Sequence, residues 1–311
     1  MKTLPQVLED YLTLRRAMGF KLSEAGTLLP QFVAYLAQRG HTFIPTAEAV
    51  EWATQPQHVQ PAEWARRLRW VRGFARYHHA SDPRTEIPPP ALLPYRPQRR
   101  VPYLYSEAEI AQLLAAASRL PSALGLRAAT YTTVFGLLVV TGMRISELVG
   151  LDNNDVELAG GWLTIRHSKF RKSRWLPLHL TTQQALRQYV TRRNHVHPCP
   201  HTPSFFVSEQ GTRLLACTVR ATFVRLAHQI GIRRPGDKQG PRLHDFRHRF
   251  AVQTLVRWYQ EEVDVDRHLP ELSTYLGHVK VSDTYWYLSA TPELLGLATQ
   301  RLDQTYRSLP S

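Results

Sequence analysis

Cysteine is scarce in this chain, with only Cys199 and Cys217 among 311 residues. Two cysteines give no disulfide framework and suit a reducing compartment. No stretch is apolar for long enough to span a bilayer. Met1 to Asp10 carries charges and no apolar run, so no leader is expected. These absences point to a cytoplasmic protein with no membrane partner. A Gly-rich phosphate loop, an internal repeat and a low-complexity tract are all missing. So is any carboxylate cluster of the kind that holds two catalytic metals, which argues against a metal-dependent nuclease. No cofactor and no metal are expected. The alternation His195, His197, Cys199, His201 invites a zinc reading, but Pro198, Pro200 and Pro203 make it a loop.

Acidic residues are also in short supply: 25 Asp and Glu face 39 Lys and Arg, leaving a net charge of +14 and a pI near 10.1. That balance suits an extended polyanion, and nucleic acid is the natural candidate. A hydrophobic content of 43% in 311 residues is enough for two globular domains.

Helical periodicity runs from Leu4 to Met18, Ser23 to Gln38, Thr46 to Thr54 and Pro61 to His79, which predicts an all-helical first domain over residues 1–82. In the last of these helices Trp64, Leu68, Val71 and Ala75 form the apolar stripe, while Arg66, Arg69, Arg72 and Arg76 face elsewhere. Nine arginines between residues 66 and 100, against Asp82 and Glu86 alone, favour contact with a DNA backbone. Residues 83–102 hold seven prolines, with Arg96, Arg99 and Arg100 among them, and read as a stiff interdomain linker. A second domain, 103–311, opens with the capping box Ser106-Glu107-Ala108-Glu109. Leu124 to Val140 then reads as a buried helix delivering Thr141-Gly142-Met143-Arg144, with Glu147 one turn on to hold the guanidinium or a neighbouring His. Trp162–Arg166 and Arg174–Leu178 alternate like strands around a polar tip that carries Lys169, with Arg171 and Lys172 as local competitors. Helices are expected over Thr181 to Arg193 and Ala216 to Ile230, followed by a loop bearing Arg233, Arg234, Lys238 and Arg242, which with Arg171 and Lys172 are further candidates for contact with DNA. The fold class is therefore mainly α with a small β-hairpin or sheet.

From Leu243 to Leu288 the chain packs His244-Asp245-Phe246-Arg247, Leu276-Gly277-His278 and a tyrosine-rich segment. His244 and Arg247 stand three apart on a helix, so both project toward a point that suits a phosphate. Tyr287 follows His278 by nine residues and is placed to attack. Tyr285 competes with it, but two helical positions two apart point about 200° from each other, so only one faces the phosphate. If Ser282 caps a helix there, the other tyrosine is structural.

In this order the pieces resemble the tyrosine recombinase (phage integrase) family, whose active site runs Arg, Lys, His-x-x-Arg, His or Trp, then Tyr. The resemblance covers Val101 to about Leu302 and, more loosely, the helical first domain, which looks like the family's SAM-like core-binding domain. It implies catalytic roles for Arg144, Lys169, His244, Arg247, His278 and Tyr287, support from Glu147 and Asp245, and a 3′-phosphotyrosine intermediate. Under it, Arg144 and Arg247 fork onto the non-bridging oxygens, which a lysine does less well. His244, with its ordinary pKa near neutral, accepts the Tyr287 proton, and Lys169 protonates the leaving 5′ oxygen. Partners follow from the same resemblance: double-stranded DNA with an inverted-repeat core site, gripped by a dimer on one site and a tetramer in the synapse, in a nucleoid-associated enzyme. Residues Trp258 to Leu269, rich in Glu261, Glu262, Asp264 and Asp266, look like a longer and more acidic link than the family pattern has. The apolar residues Leu294, Leu295, Leu297 and Ala298 of a helix from Pro292 to Leu302 are expected to dock on a neighbouring subunit. A type IB topoisomerase or a catalytically silent DNA-binding regulator are the alternatives. The apolar tail argues against the first and the complete set of six residues against the second.

Overall fold

The structure is a computed structural model that describes residues 2–96, 101–166, 173–198, 202–237, 240–289 and 291–307, with side chains except at 289 and 302–307. It divides into two compact units, Met1–Arg100 and Val101–Ser311. Lys169, Arg171, Lys172, Lys238, Arg99, Arg100, Cys199 and His201 lie outside the described residues.

In the first unit, four helices follow the sequence periodicity: α1 (Leu4–Ala17), α2 (Ala25–Gln38), α3 (Thr46–Thr54) and α4 (Pro61–His79). Proline occupies the first turn of α4, where no backbone donor is lost. Leu68, Val71, Phe74 and Ala75 of α4 are buried with Leu29, Phe32, Leu36, Ile44 and Trp52. Trp64 stays half-buried, its indole N–H donating to the Pro56 carbonyl at 2.9 Å. The start of the proline-rich stretch lies against this unit. Arg72 donates from Nε to the Pro88 carbonyl and from a terminal nitrogen to that of Pro89, each at 2.6 Å, and Leu93 packs on the core.

The second unit begins with α5 (Glu107–Ser118), whose capping box forms as expected: the Glu109 N–H donates to Ser106 Oγ at 3.2 Å and the Ser106 N–H to Glu109 Oε2 at 2.7 Å. Helix α6 (Leu126–Thr141) is the central helix, packed on α5, on α8 (Leu180–Val196) and on α10 (Leu243–Gln260). It starts two residues later than the apolar pattern suggests because Gly125 sits in the left-handed region at φ 71. Between α6 and α8 lie the short α7 (Ile145–Val149) and an antiparallel sheet of β1 (Val156–Glu157), β2 (Trp162–Ile165) and β3 (Arg174–Pro177) in that order. Ile165 pairs with Arg174 and Trp162 with Pro177, so the hairpin is real and its tip, 167–172, lies outside the described residues. Helix α9 (Ala216–Gln229) completes the larger core with Phe223 and Leu226.

Beyond α10 the chain differs from expectation. The acidic stretch is no long link: Glu262 turns at φ 55, Asp264 caps α11 (Val265–Leu276) by accepting from the Arg267 N–H, and Val265 and Leu269 are buried. Asp264 at the cap and Asp266 in the first turn sit where a helix N-terminus favours negative charge, while Glu261 ends α10. The tail packs on its own chain. After α12 (Ser282–Tyr285) and a 3₁₀ turn (Trp286–Ser289), α13 (Pro292–Arg307) runs longer than expected and packs on α10 of its own chain. Leu294 is fully buried there with Ala251, Val252, Leu255 and Leu272, whereas Leu295 is 52% exposed. The apolar face of α13 is thus divided between Leu294, covered by its own chain, and Leu295, which meets solvent. Ser282 is the first residue of α12 and not its cap.

Candidate functional site

Two glycine turns and one helix build the site. The first turn closes α6: Gly142, at φ 59, donates its N–H to the Leu138 carbonyl at 3.0 Å, and a Cβ on it would stand 2.8 Å from the Phe250 ring. Only glycine serves there, and the turn presents Arg144 at the N-cap of α7. Glu147, one turn on, accepts from the Arg144 backbone N–H at 2.9 Å and from its guanidinium at 2.8 Å. Arg144 also donates to the Gly277 carbonyl at 3.2 Å.

That carbonyl belongs to the second turn, which closes α11. Gly277 is left-handed at φ 68, and the His278 N–H returns to the Ser273 carbonyl at 2.9 Å. His278 Nδ1 then meets Thr284 Oγ1 at 2.7 Å, tying the histidine to α12. Helix α10 lies between the turns. Its Arg247 is 2% exposed and donates to the Gly142 carbonyl at 3.1 Å and to the Leu276 carbonyl at 2.5 Å. One guanidinium thus joins both turns.

Asp245 supports the site from behind. Fully buried, it accepts from the Arg242 N–H at 2.8 Å and from the Arg242 guanidinium at 2.9 Å, which fixes the start of α10. Tyr287 is 3% exposed, its ring stacked on His278 at 6.1 Å between centroids and beside His248 at 5.5 Å. Tyr285 is 49% exposed, so the two tyrosines do diverge.

Two residues that the sequence reading passed over belong here. His248 packs edge-on against His244 at 4.7 Å and touches Trp286 as well as Tyr287, so it stands between His244 and the tyrosine. Its position four after His244 on one helix face was the available signal. Arg174, the first residue of β3, forks onto both oxygens of Glu147, sharing that carboxylate with Arg144, at 3.1 and 2.9 Å. Nothing local in the sequence pairs residues 147 and 174.

Positive charge dominates the electrostatics of the site. Burial, then the Arg144 charge, lowers Arg247 to about 10. His244 is pushed down to about 4 by the protein crowding it and by Arg247 and Arg242, although its edge meets solvent. Burial and the neighbouring charges likewise hold His248 and His278 at about 4. Burial works to raise the Glu147 carboxyl, but the bonds from Arg174 and Arg144 outweigh it and keep it below its ordinary value.

The expected DNA-facing cations are unevenly placed. Arg69, Arg76, Arg96 and Arg234 are exposed. Arg66 is paired with Glu63 and Glu24, and Arg242 with Asp245, so part of their charge is neutralised. Arg72 and Arg233 spend hydrogen bonds on carbonyls, the latter on those of Pro241 and Asp237. Among the described residues no three His, Cys, Asp or Glu gather in a metal-binding group, and no helix is long and apolar enough to cross a membrane.

Comparison with known proteins gives one consistent answer. The profile of the phage integrase family matches residues 104–293. The chain is 47% identical to y4rB of Sinorhizobium fredii, an inferred integrase/recombinase, over 98% of this chain and 99% of that one. It is 30% identical to the tyrosine recombinase XerD of Caulobacter vibrioides, over 94% and 93% of the two chains. Among solved structures it resembles the Tn1549 transposon integrase in complex with transposon right end DNA, with a TM-score of 0.63 at 15% identity over 97% and 99% of the chains. A lambda integrase tetramer bound to a Holliday junction gives a TM-score of 0.61 at 18% identity over 90% and 78%.

Proposed function

Since this chain belongs to the phage integrase family of tyrosine recombinases, enzymes that cut and rejoin DNA, we propose that it is a site-specific recombinase working through a covalent tyrosyl intermediate. The observation that carries this reading is the convergence of Arg144, Arg247 and His278 on the turns beside Tyr287. In the proposed step Tyr287 Oη attacks the scissile phosphorus, the 5′ oxygen leaves with a proton, and a 3′-phosphotyrosyl bond conserves the phosphodiester energy. Attack by a free 5′-hydroxyl reverses it and releases the tyrosine, so neither metal nor ATP enters the balance.

Arg144 and Arg247 each retain N–H donors beyond those bonded to carbonyls and Glu147, enough to grip the non-bridging oxygens as negative charge grows on them. A phosphate among these cations raises His244 from about 4 and improves it as the acceptor of the tyrosine proton. His248, touching both rings, orients that transfer, and Lys169 serves as the acid for the leaving oxygen. Tyr287 is 3% exposed, so segment 282–289 must shift for a phosphate to reach it. The helical unit acts as the core-binding domain and residues 103–311 as the catalytic domain. The exposed arginines of both grip a duplex whose inverted repeats each bind one subunit, in a dimer on one site and a tetramer in the synapse.

A nicked suicide duplex bearing the site found by footprinting tests this, because loss of the short fragment traps the covalent adduct. Mass spectrometry should find the DNA on Tyr287, and Tyr287→Phe should give no adduct while Tyr285→Phe still does. Adduct formation by Tyr287→Phe would overturn the assignment.

A further inference from the structure

We propose that Arg174 is a positioning residue for strand cleavage: it shares Glu147 with Arg144 and so leaves Arg144 its positive charge for the phosphate. The inference rests on the recombinase reading above. Three bonds hold Arg174 in place. Its two terminal nitrogens reach the two oxygens of Glu147 at 3.1 and 2.9 Å, and Nε donates to the Tyr275 carbonyl at 2.7 Å. Its side chain is only 8% exposed and that of Glu147 5%, so neither charge is dispersed by water. A Cβ at position 277 would stand 2.7 Å from the guanidinium, so the glycine that turns the chain toward His278 also makes the room Arg174 needs.

Charge decides what this arrangement does. Glu147 and Arg144 alone would form a neutral pair, and a neutralised arginine stabilises little of the negative charge that develops on a phosphate. With Arg174 the cluster holds two guanidinium groups and one carboxylate, a net charge of plus one at the site. The same three bonds tie the first residue of β3, at the base of the Lys169 hairpin, to the turns carrying Arg144 and His278. A shift there moves several reacting groups together.

The experiment is single-turnover cleavage of the nicked duplex, with DNA affinity and thermal melting measured in parallel. Arg174→Ala should lower the cleavage rate by about 10–100-fold, the usual scale for ångström misplacement and lost charge, with affinity changed by less than about twofold. Arg174→Lys keeps the charge but not the planar fork, and should recover part of the loss. The decisive variant combines Arg174→Ala with Glu147→Gln. Removing the unshared carboxylate frees Arg144 again, so the double variant should cleave several-fold faster than Arg174→Ala alone. A purely structural Arg174 gives a double variant no faster than the single one, and that result, or a wild-type rate for either Arg174 variant, overturns the proposal. If Arg174→Ala fails to fold, Arg174→Lys takes its place with and without Glu147→Gln: a wild-type rate for the single variant, or a double variant no faster than it, sinks the idea, and a slowed single variant that the double outpaces upholds it. Wild-type protein that leaves the duplex uncut refutes the recombinase reading itself, a failure separate from any behaviour of the Arg174 variants.

Discussion

Arg247→Gln should separate stability from catalysis. Arg247 is 2% exposed and held at about 10, down from 12.5, and carrying its charge inside the protein therefore costs about 3 kcal/mol. Glutamine removes that charge and keeps one amide able to donate to the Gly142 or Leu276 carbonyl, the two acceptors Arg247 now serves. One charged hydrogen bond is forfeited, worth roughly 1.5–3 kcal/mol, and the shorter side chain leaves a void worth about 1 kcal/mol. These terms nearly cancel, so the variant should fall within about 2 kcal/mol of wild type in urea unfolding, far from the 3–5 kcal/mol typical of breaking a buried pair. Cleavage should drop by about 10²–10³-fold or more, as for the loss of a donor to developing negative charge. Inorganic phosphate should raise the melting temperature of wild type more than that of the variant, because an anion relieves the strain only where the cation remains. Urea unfolding followed by tryptophan fluorescence, alongside the cleavage assay, gives both numbers. A destabilisation beyond about 4 kcal/mol would show that the buried charge stabilises the fold and refute the reasoning.

Three further outcomes are expected. His248 and His278 are held at about 4, below their unfolded value near 6.5, so their stabilising effect is intact above pH 6.5 and is lost as pH falls toward 4. Urea midpoints between pH 6.5 and 4.5 should record a loss of about 1–3 kcal/mol, which His248→Gln reduces; an unchanged pH slope in that variant counts against the assignment. Lys169→Ala should slow cleavage of an ordinary phosphodiester yet cut a 5′-bridging phosphorothiolate at a rate near wild type, because a thiolate leaves without a proton. Absence of rescue removes Lys169 from the role of acid. Leu294→Ala should destabilise the chain by about 2–4 kcal/mol even as a monomer, since Leu294 fills its own subunit's core. If dilute protein melts unchanged while assembly on DNA fails, α13 docks only between subunits.

What the sequence determined by itself was whatever depends on neighbours a few residues apart. The period of α4, the Ser106 capping box, the bond from Glu147 back to Arg144 and the divergence of Tyr285 from Tyr287 all follow from helical geometry, and the structure has each of them. The motif order also identified the family, because each of those motifs combines residue types with a fixed local spacing. Tertiary structure decided the rest. Arg174 reaches Glu147 across 27 residues and Arg247 joins carbonyls 105 and 29 residues away, pairings that no local period encodes. His244 is lowered from its ordinary value by burial and by the charges of Arg247, one turn along its own helix, Arg242 and Arg144, and of these only Arg144 comes from a distant part of the chain. Helix α13 shows the limit most plainly: its apolar stripe requires a partner, but amphipathicity carries no information about whose surface is buried, and only the fold places Leu294 on its own chain's α10.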